Sequence, residues 1–444
     1  MTWAKLDTAA VARALSAVAA EPGDLAEVYF ERRIDAEWPP AETSCGLRLR
    51  SEEGLAVRLV RGDRAWIASR DGISGGELLS ALRQVARAQP PALVEPELAG
   101  GPLPAAPVAT LRGFAAELER GIRRHHVAFP FRLTTRWHRR DLQVVGPRWV
   151  PASEREVFYS LDVELPWGRY GALATALSSG EAERVARALV GRFRARDAPP
   201  PRDGRYPLLL APGATAVMLH EAVGHALEAD LLEAAGELAR RAEDSRETGS
   251  AVLRALDVLD DPRRAPRGVD RATDDEGQPV VRRWLVRGGC VDQPIADAVH
   301  AARSELLAGS GFRGGRHQPP LPRTHHLELL PGDADPRQLL AGAEGGLLIS
   351  ELDQGTLDPA SGEVVLHAPC GRYIRDGAPA ESCGPLQLRS RVPELLAAVR
   401  AVGADPQSAG AGWCAKGGQR RAVWATAPSL ALAAIEVRGG RGER

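Results

Sequence analysis

The stretch VMLHEAVGHALEADLL, residues 217–232, places two histidines and a glutamate in an otherwise alanine- and leucine-rich segment. Imidazoles bind Zn²⁺, and in H-E-x-x-H metalloproteases the glutamate beside the first histidine is the general base. Here the histidines are His220 and His225, with Glu221 next to the first, so the spacing is one residue longer. The segment predicts a peptidase-type metal site only if the helix can accommodate that extra residue.

On a regular α-helix this spacing does not allow both histidines to bind one ion. Residues four apart differ by about 40° around the helix axis, whereas residues five apart differ by about 140° and point away from each other. A one-residue π-bulge between the histidines would bring the imidazoles together, and such bulges are frequent at functional sites. Gly224, directly before His225, tolerates such a distortion. The alternative is a helix with two structural histidines, and the motif alone does not decide between them.

A catalytic zinc also needs a third protein ligand and an open position for water. Cys414, in GAGWCAKGGQ (residues 410–419), is the favoured candidate. The surrounding glycines would let an exposed loop approach the ion, and Lys416 would favour the thiolate that metals bind. Cys383, in ESCGPLQL, is the main competitor.

These candidate residues must be positioned by helices and strands. In the first 200 residues, helical and strand-like patterns alternate. The patterns predict helices near 8–20, 76–88, 111–124 and 180–196, strands at 25–33 and near 129–145 and 155–165, and a hairpin of 54–62 with 64–72 that turns at Gly62-Asp63. A Pro/Gly-rich connector occupies 89–107. The segment RARDAPPPRDGRYP, residues 194–207, predicts a break near residue 200 between domains 1–200 and 201–444.

Beyond that break, a short strand leads through Pro212-Gly213 into the motif helix, and short strands separated by turns then dominate. We therefore expect an α+β fold. Its N-terminal mixed α/β domain would be followed by a β-rich, largely antiparallel C-terminal domain that carries the metal-binding helix.

The composition excludes several classes of function. A net charge of −1 provides no field to attract nucleic acid. The five cysteines form no C-x-x-C pair, which argues against a disulfide framework and for a reducing compartment. No stretch approaches the ~18 apolar residues that a membrane span requires, and Asp7 and Arg13 interrupt the signal-like N-terminus. We expect a cytoplasmic protein.

Taken together, the helix and the cysteine segment resemble the TldD/PmbA family of metallopeptidases, also described as modulators of DNA gyrase. The family's catalytic subunits carry an H-E-x-x-x-H helix and a distant G-x-C-x-K-x-G-Q segment, which stands here as WCAKGGQ. Other segments are similar: GLAVRLVRGDRAWIASRDG, VDRATDDEGQP, GSGFRGGRHQPPLPRTHHLELLPG and LDQGTLDPASGEVVL. Ala415 stands where the family commonly has glycine, and the segment 232–262 has little to match.

The resemblance implies a zinc metallopeptidase in which His220, His225 and Cys414 hold Zn²⁺ and Glu221 is the catalytic base. It also implies the catalytic subunit of a pair, a heterodimer with a related subunit that lacks the metal motif, or a homodimer, which cleaves unfolded or short peptides. One alternative is a non-catalytic, peptide-binding or partner-stabilising subunit with a vestigial motif, and another is a direct gyrase regulator. A zinc deaminase is set aside because the chain has no C-x-x-C.

Several further residues are weaker candidates for roles around the site. Carboxylates that follow the motif and could orient a ligand histidine, or simply be solvated, are Glu228 and Asp230. Candidates for oxyanion support are Tyr373 and the pair His325-His326. Candidates for fixing a peptide carboxylate or backbone are Arg313, Arg316 and Arg323.

Overall fold

The computed structural model describes residues 7–19, 21, 23–40, 46–62, 64–86, 105–147, 151–234, 256–409 and 412–440. Most of the connector predicted at 89–107 and the middle of the segment 232–262 lie outside the described residues. Lys5, Cys45 and Asp63 also lie outside them.

The longest of the described helices lie in the N-terminal part of the chain. They are α1 (Thr8–Val18), α2 (Gly75–Ala86), α3 (Val108–Arg124), α4 (Ser179–Arg194), α5 (Pro212–Leu219), α6 (Ala229–Ala234), α7 (Ala298–Ser304), α8 (Pro336–Gly342) and α9 (Val392–Ala397). A π-helical turn at His220–Gly224 and 3₁₀ turns at His225–Leu227 and Pro262–Arg264 complete the set. Each of these described helices is too short or too polar to pass through a lipid bilayer.

An antiparallel sheet in the order β3-β2-β1-β4-β5-β6 forms the centre of the N-terminal part. Its strands are β1 (Leu25–Trp38), β2 (Arg48–Arg61), β3 (Arg64–Asp71), β4 (Arg132–Val145), β5 (Ala152–Leu165) and β6 (Gly168–Ala174). Helices α1 and α2 pack on the β1–β3 half, and α3 and α4 pack on the β4–β6 half. The helices cover one face of the sheet, so the alternate side chains of each strand face the C-terminal part of the chain.

The helices and strands predicted for this part are confirmed, with boundaries shifted by a few residues. The predicted hairpin is present as β2 and β3, with Arg61 opposite Arg64 and Gly62 at φ 54°. Strand β6 was not predicted. Its sequence GRYGALA contains two glycines and lacks β-branched residues, so its intrinsic strand preference is weak.

The C-terminal part contains two larger sheets. The first has the order β15-β16-β19-β25-β7-β14-β17-β18, with β20 also paired to β25, and the second has the order β10-β9-β8-β13-β24-β21. Two further sheets have two strands each, β11 with β12 and β22 with β23. The strands of this part are β7 (Gly204–Leu210), β8 (Val258–Asp260), β9 (Arg283–Arg287), β10 (Cys290–Val291), β11 (Gly311–Phe312), β12 (Leu321–Pro322), β13 (His326–Leu329), β14 (Leu347–Ile349), β15 (Gln354–Asp358), β16 (Glu363–Ala368), β17 (Gly371–Arg375), β18 (Ala378–Cys383), β19 (Leu386–Arg391), β20 (Val399–Val402), β21 (Gln407–Ala409), β22 (Trp413–Lys416), β23 (Gln419–Ala422), β24 (Trp424–Ala427) and β25 (Leu430–Gly439).

The motif helix packs between these two sheets, in a core to which both contribute. Leu210 of β7 and Leu327 of β13 belong to the same buried cluster as Leu219 and Val223 of the helix. The α+β class and the largely antiparallel, β-rich C-terminal part are confirmed. Among the described strands, two pairs are parallel, β7 with β14 and β13 with β24, which the strand patterns had not indicated.

Buried ion pairs connect the N-terminal sheet to the C-terminal part. Arg58 donates to Glu276 at 2.6 Å, and Arg313 donates to Glu27 at 2.9 Å, with all these side chains buried. Glu276 belongs to the Asp-Asp-Glu-Gly stretch of the family resemblance, and its Oε2 also accepts from the backbone N–H of Ala298 at 2.7 Å. The stretch therefore joins the two parts of the chain.

Candidate metal centre

The motif helix departs from α-helical geometry at the place where the sequence requires it. It begins as α5 with Pro212 in its first turn and changes to a π-helical turn at His220–Gly224. The backbone N–H of His225 bonds to the carbonyl of His220, five residues earlier. The two imidazole rings consequently lie side by side in an edge-to-face arrangement, with centroids 4.6 Å apart and ring planes inclined by 68°. The widening predicted from the spacing is confirmed.

The helix is interrupted directly after the second histidine. A 3₁₀ turn, His225–Leu227, follows the π-helical turn, and Glu228 adopts an extended conformation at φ −76° and ψ 126°. This bend turns the Glu228 side chain back toward the histidine, so that His225 Nδ1 lies 2.7 Å from Glu228 Oε2. Since a carboxylate can only accept, Nδ1 carries the proton and the other ring nitrogen is left to face the site.

Gly224 is needed for a different reason from the one that the sequence suggested. Its φ of −56° and ψ of −68° are accessible to any residue, so its conformational freedom is not used. A Cβ at this position would lie 3.1 Å from Leu327 Cδ1 and 3.2 Å from Thr324 Cγ2. The glycine therefore allows the π-helical turn to pack closely against the 324–327 segment.

We expect Gly224→Val to reduce both stability and metal binding. Overpacking a tight contact costs about 1–3 kcal/mol, and here the displaced segment includes Thr324, which contacts His220. Denaturant unfolding and the metal content of the purified protein would measure the two effects. Gly113→Val is the matched control, because this helical glycine has nothing within 4 Å of an added Cβ. Equal behaviour of the two variants would contradict the packing role of Gly224.

Cys414 lies on a β-hairpin formed by β22 and β23, hereafter the cysteine hairpin (residues 413–422). Gly417 and Gly418 form its two-residue turn at φ 55° and 72°, positive values that suit glycine. Cys414 is only 6% exposed. The expectation of an exposed loop at this position is therefore wrong, since a paired strand carries the thiol into the protein.

The structure brings the two histidines and this cysteine together. Candidate ligand atoms of His220, His225 and Cys414 lie within 4.8 Å of one another, and all three side chains are buried. Cys414 Sγ is 3.3 Å from His225 Nε2. His220 Nε2 is buried without a hydrogen-bond partner among the described residues. Two imidazoles and a thiolate are a donor set that suits Zn²⁺, and an unsatisfied buried nitrogen fits a site built for an ion.

The electrostatics of the cluster favour the deprotonated thiol. Burial acts to raise the pKa of Cys414, but the neighbouring His220 and His225 outweigh it and lower this pKa to about 4. Burial likewise acts to lower the pKa of His225, but Glu228 and Cys414 outweigh it and raise that pKa. A protonated His225 beside the Cys414 thiolate thus forms an ion pair in the place where a cation would bind.

Glu228 supports His225 through a buried ion-pair network. Lys416 Nζ lies 2.9 Å from Glu228 Oε2 and 2.7 Å from Asp230 Oδ1, and it donates to the carbonyl of Pro322 at 2.7 Å. Burial acts to raise the pKa of Glu228, but His225 and Lys416 lower it to about 2. Of the two carboxylates considered from the sequence, Glu228 contacts the histidine and Asp230 holds the lysine.

The basic side chain outside the candidate ligand set that contacts the thiol is Arg323. Its Nη2 donates to Cys414 Sγ at 3.1 Å and to Cys414 O at 2.9 Å. The sequence suggested Lys416 for this role and a peptide-binding role for Arg323, but Arg323 is 1% exposed. Arg313 and Arg316 are also buried, in ion pairs with Glu27 and Asp71 respectively, so neither is available to bind a peptide.

Glu221 is half-buried and lies against the edge strand β15. A Cβ on Gly355 would lie 2.2 Å from Glu221 Cγ and 2.9 Å from its Cδ. Gly355 therefore sets the position of the Glu221 side chain, a role for which no sequence signal existed.

The remaining candidates lie in other surroundings. Cys383 is fully buried in the apolar core and does not belong to the His-His-Cys cluster. His325 bonds to the carbonyl of Val269 at 2.5 Å, and His326 to Thr426 Oγ1 at 3.1 Å, so each has a structural partner. Tyr373 lies on β17, in the first large sheet.

Residues 203–439 match the family model described as PmbA/TldA metallopeptidase C-terminal domain. A protein named "Metalloprotease" from Methanothermobacter thermautotrophicus is 28% identical over 222 residues, 50% of this chain and 48% of that protein. A "Metalloprotease TldD homolog" from Haemophilus influenzae is 27% identical over 242 residues, 53% of this chain and 48% of the relative. The chain thus spans about half the length of these curated relatives. The structure of TldE from Thermococcus kodakarensis superimposes with a TM-score of 0.73 at 18% identity, covering 97% of this chain and 100% of that one, which shows the shared fold.

Proposed function

Since the chain belongs to the TldD/PmbA metallopeptidase family, we propose that it is a zinc-dependent peptidase that cleaves unfolded or short peptides. His220, His225 and Cys414 would hold the ion, and Glu221 would be the catalytic base. The observation that supports this most strongly is the convergence of the three donor side chains beside that glutamate, on a helix distorted to allow it.

The donor set is consistent with zinc. The bound ion would supply Lewis acidity, which lowers the pKa of a coordinated water from ~15.7 toward ~7. Glu228 accepts from His225 Nδ1 and so keeps Nε2 directed at the cluster. The Cys414 thiolate and His220 Nε2, which has no hydrogen-bond partner among the described residues, would complete the three-residue donor set.

Glu221 would take the proton from the attacking water and pass it to the leaving amine. This role needs a carboxylate held beside the first ligand, and adjacency to His220 together with packing against Gly355 provides that position.

We expect Gly355→Ala to lower peptidase activity without removing the metal. The added Cβ would displace the Glu221 side chain. General base catalysis contributes a rate enhancement of about 10²–10⁴-fold, and a misplaced base loses much of it. Steady-state cleavage kinetics and metal content on the same preparations would test this. Gly171→Ala is the control, because that strand glycine has only Leu161 O, at 3.9 Å, near an added Cβ. Activity of Gly355→Ala at the level of Gly171→Ala would contradict the proposed positioning.

We further propose that the chain divides into domains near residue 200 and is the catalytic member of a pair with a related chain that lacks the metal motif. The match of the family model from residue 203 onward supports the division. The retained histidines and glutamate, and the name of the TldD homolog from Haemophilus influenzae, support the catalytic assignment.

The experiment that tests this function is cleavage of an unstructured fluorogenic peptide by the purified chain, alone and with such a related chain. Activity that 1,10-phenanthroline removes and added Zn²⁺ restores would support the proposal. A folded, zinc-loaded chain that cleaves no peptide in either setting would favour the alternative, a non-catalytic peptide-binding subunit.

A further inference from the structure

Arg323 lies in a short segment, residues 322–324, that contacts both the cysteine hairpin and the motif helix. The preceding residue, Pro322, accepts from Lys416 Nζ at 2.7 Å, and the following residue, Thr324, has its Oγ1 3.3 Å from His220 Nδ1. The backbone N–H of Arg323 donates to Ser310 O at 3.0 Å, which fixes the segment. The side chain of Arg323 thus starts from an anchored backbone.

The guanidinium of Arg323 is directed at the cysteine. Within the described residues, both hydrogen bonds of its side chain go to Cys414, one to the carbonyl at 2.9 Å and one to Sγ at 3.1 Å. Its Nε and Nη1 are buried and have no hydrogen-bond partner there. A buried guanidinium needs compensating negative charge, and the thiolate of Cys414 is the group in contact that supplies it.

This hydrogen bond is compatible with a bound metal, unlike the contact between the histidine and the thiolate. Once His225 Nε2 ligates an ion it no longer carries a proton, so it cannot donate to the sulfur. Arg323 uses none of its donors to hold an ion and cannot lose its charge, so it keeps donating. A hydrogen bond to a thiolate ligand withdraws electron density from the sulfur and reduces its donation to the metal.

We propose that Arg323 is a positioning residue that orients Cys414 toward the metal and tunes its sulfur by an N–H···S hydrogen bond. It thereby offsets the strong electron donation of a thiolate ligand and preserves the acidity of the ion. This inference rests on the proposed function, because it assumes that Cys414 is a ligand.

The test uses Co²⁺ as a spectroscopic probe of the sulfur–metal bond in the full chain. Wild type loaded with Co²⁺ should show a sulfur-to-cobalt charge-transfer band in the near ultraviolet. Arg323→Met should shift that band to longer wavelength, because a more electron-rich sulfur gives up an electron more easily.

Two further variants keep the test decisive. Arg283→Met is the matched control, since Arg283 is equally buried but donates to the carbonyls of Pro294 and Leu307, so the band should not move. Arg323→Lys keeps a buried cation but not the fork that reaches both Cys414 atoms, and it should give an intermediate band. The Arg323→Lys spectrum replaces the Arg323→Met spectrum as the test if Arg323→Met does not fold.

The outcomes separate this inference from the function on which it rests. If the band of Arg323→Met lies where the wild-type band lies, the role of Arg323 is overturned and the metal centre stays intact. If Arg323→Met does not fold, an unchanged band in Arg323→Lys has the same meaning. Absence of the band in Co²⁺-loaded wild type would overturn the cysteine ligand, and with it both proposals.

Discussion

Glu221→Gln should abolish peptide cleavage while leaving the metal centre in place. Glutamine keeps the size of the side chain, so the contact with Gly355 is retained, but its amide cannot take a proton. Loss of a general base costs about 10²–10⁴-fold, and the effect should fall on kcat more than on KM, because the residue acts on the reacting water. Cleavage kinetics on zinc-loaded protein would measure it.

Metal content and unfolding of Glu221→Gln should match wild type, since the residue is half-buried and contributes no donor to the His-His-Cys cluster. A zinc-loaded Glu221→Gln protein that cleaves peptide at nearly the wild-type rate would show that another group carries the proton. A loss of zinc on this substitution would instead make Glu221 part of the metal site.

Cys414→Ser should cause the largest loss of metal binding. Serine is close in size, but at neutral pH its hydroxyl is a far weaker zinc ligand than the thiolate that the cluster stabilises. The loss of zinc affinity on removing a ligand should exceed the loss of about 10- to 100-fold that follows removal of a residue supporting a ligand. Competition with a chromophoric chelator would give the affinity, and peptide cleavage should be lost in parallel.

Cys383→Ser is the matched control for that substitution. Cys383 is also a buried free thiol, but it does not belong to the His-His-Cys group. Serine at 383 should lower the stability of the fold, because it buries a hydroxyl, yet leave zinc affinity unchanged. Zinc retained by Cys414→Ser and lost by Cys383→Ser would reverse the assignment between the two cysteines.

The distortion of the motif helix could be predicted from the sequence because spacing alone determines it. Two histidines five residues apart cannot share a face of an α-helix, so a shared site requires a wider turn, and the π-helical turn at His220–Gly224 provides it. The α+β class followed similarly from periodicity, since helical and strand patterns alternate before residue 200 and strand patterns dominate after the motif helix.

What the sequence could not reveal depends on contacts between distant residues. Arg323 and Cys414 are 91 positions apart, and Arg421 of the cysteine hairpin reaches Glu156 of the N-terminal sheet across 265 positions. Local spacing contains no information about such pairs. For the same reason Lys416 was assigned to the thiol that it follows in sequence, although it pairs with Glu228 and Asp230.

The direction of strand pairing was also beyond the local pattern. Strand β13 pairs in parallel with β24, the strand that directly follows the cysteine hairpin. A short apolar strand has the same sequence pattern whether its neighbouring strand is parallel or antiparallel. The position of Gly355 against Glu221 likewise depends on the edge strand β15 meeting the π-helical turn.

The central claim is that two histidines and one cysteine of this chain bind zinc, and X-ray absorption of the zinc-loaded wild-type protein tests it most directly. The account predicts about one zinc per chain, with one sulfur at ~2.3 Å and nitrogen or oxygen ligands at ~2.0–2.1 Å. The sulfur contribution should disappear in Cys414→Ser and persist in Cys383→Ser. A folded wild-type chain that retains no zinc, or one whose zinc has no sulfur ligand, would contradict the account.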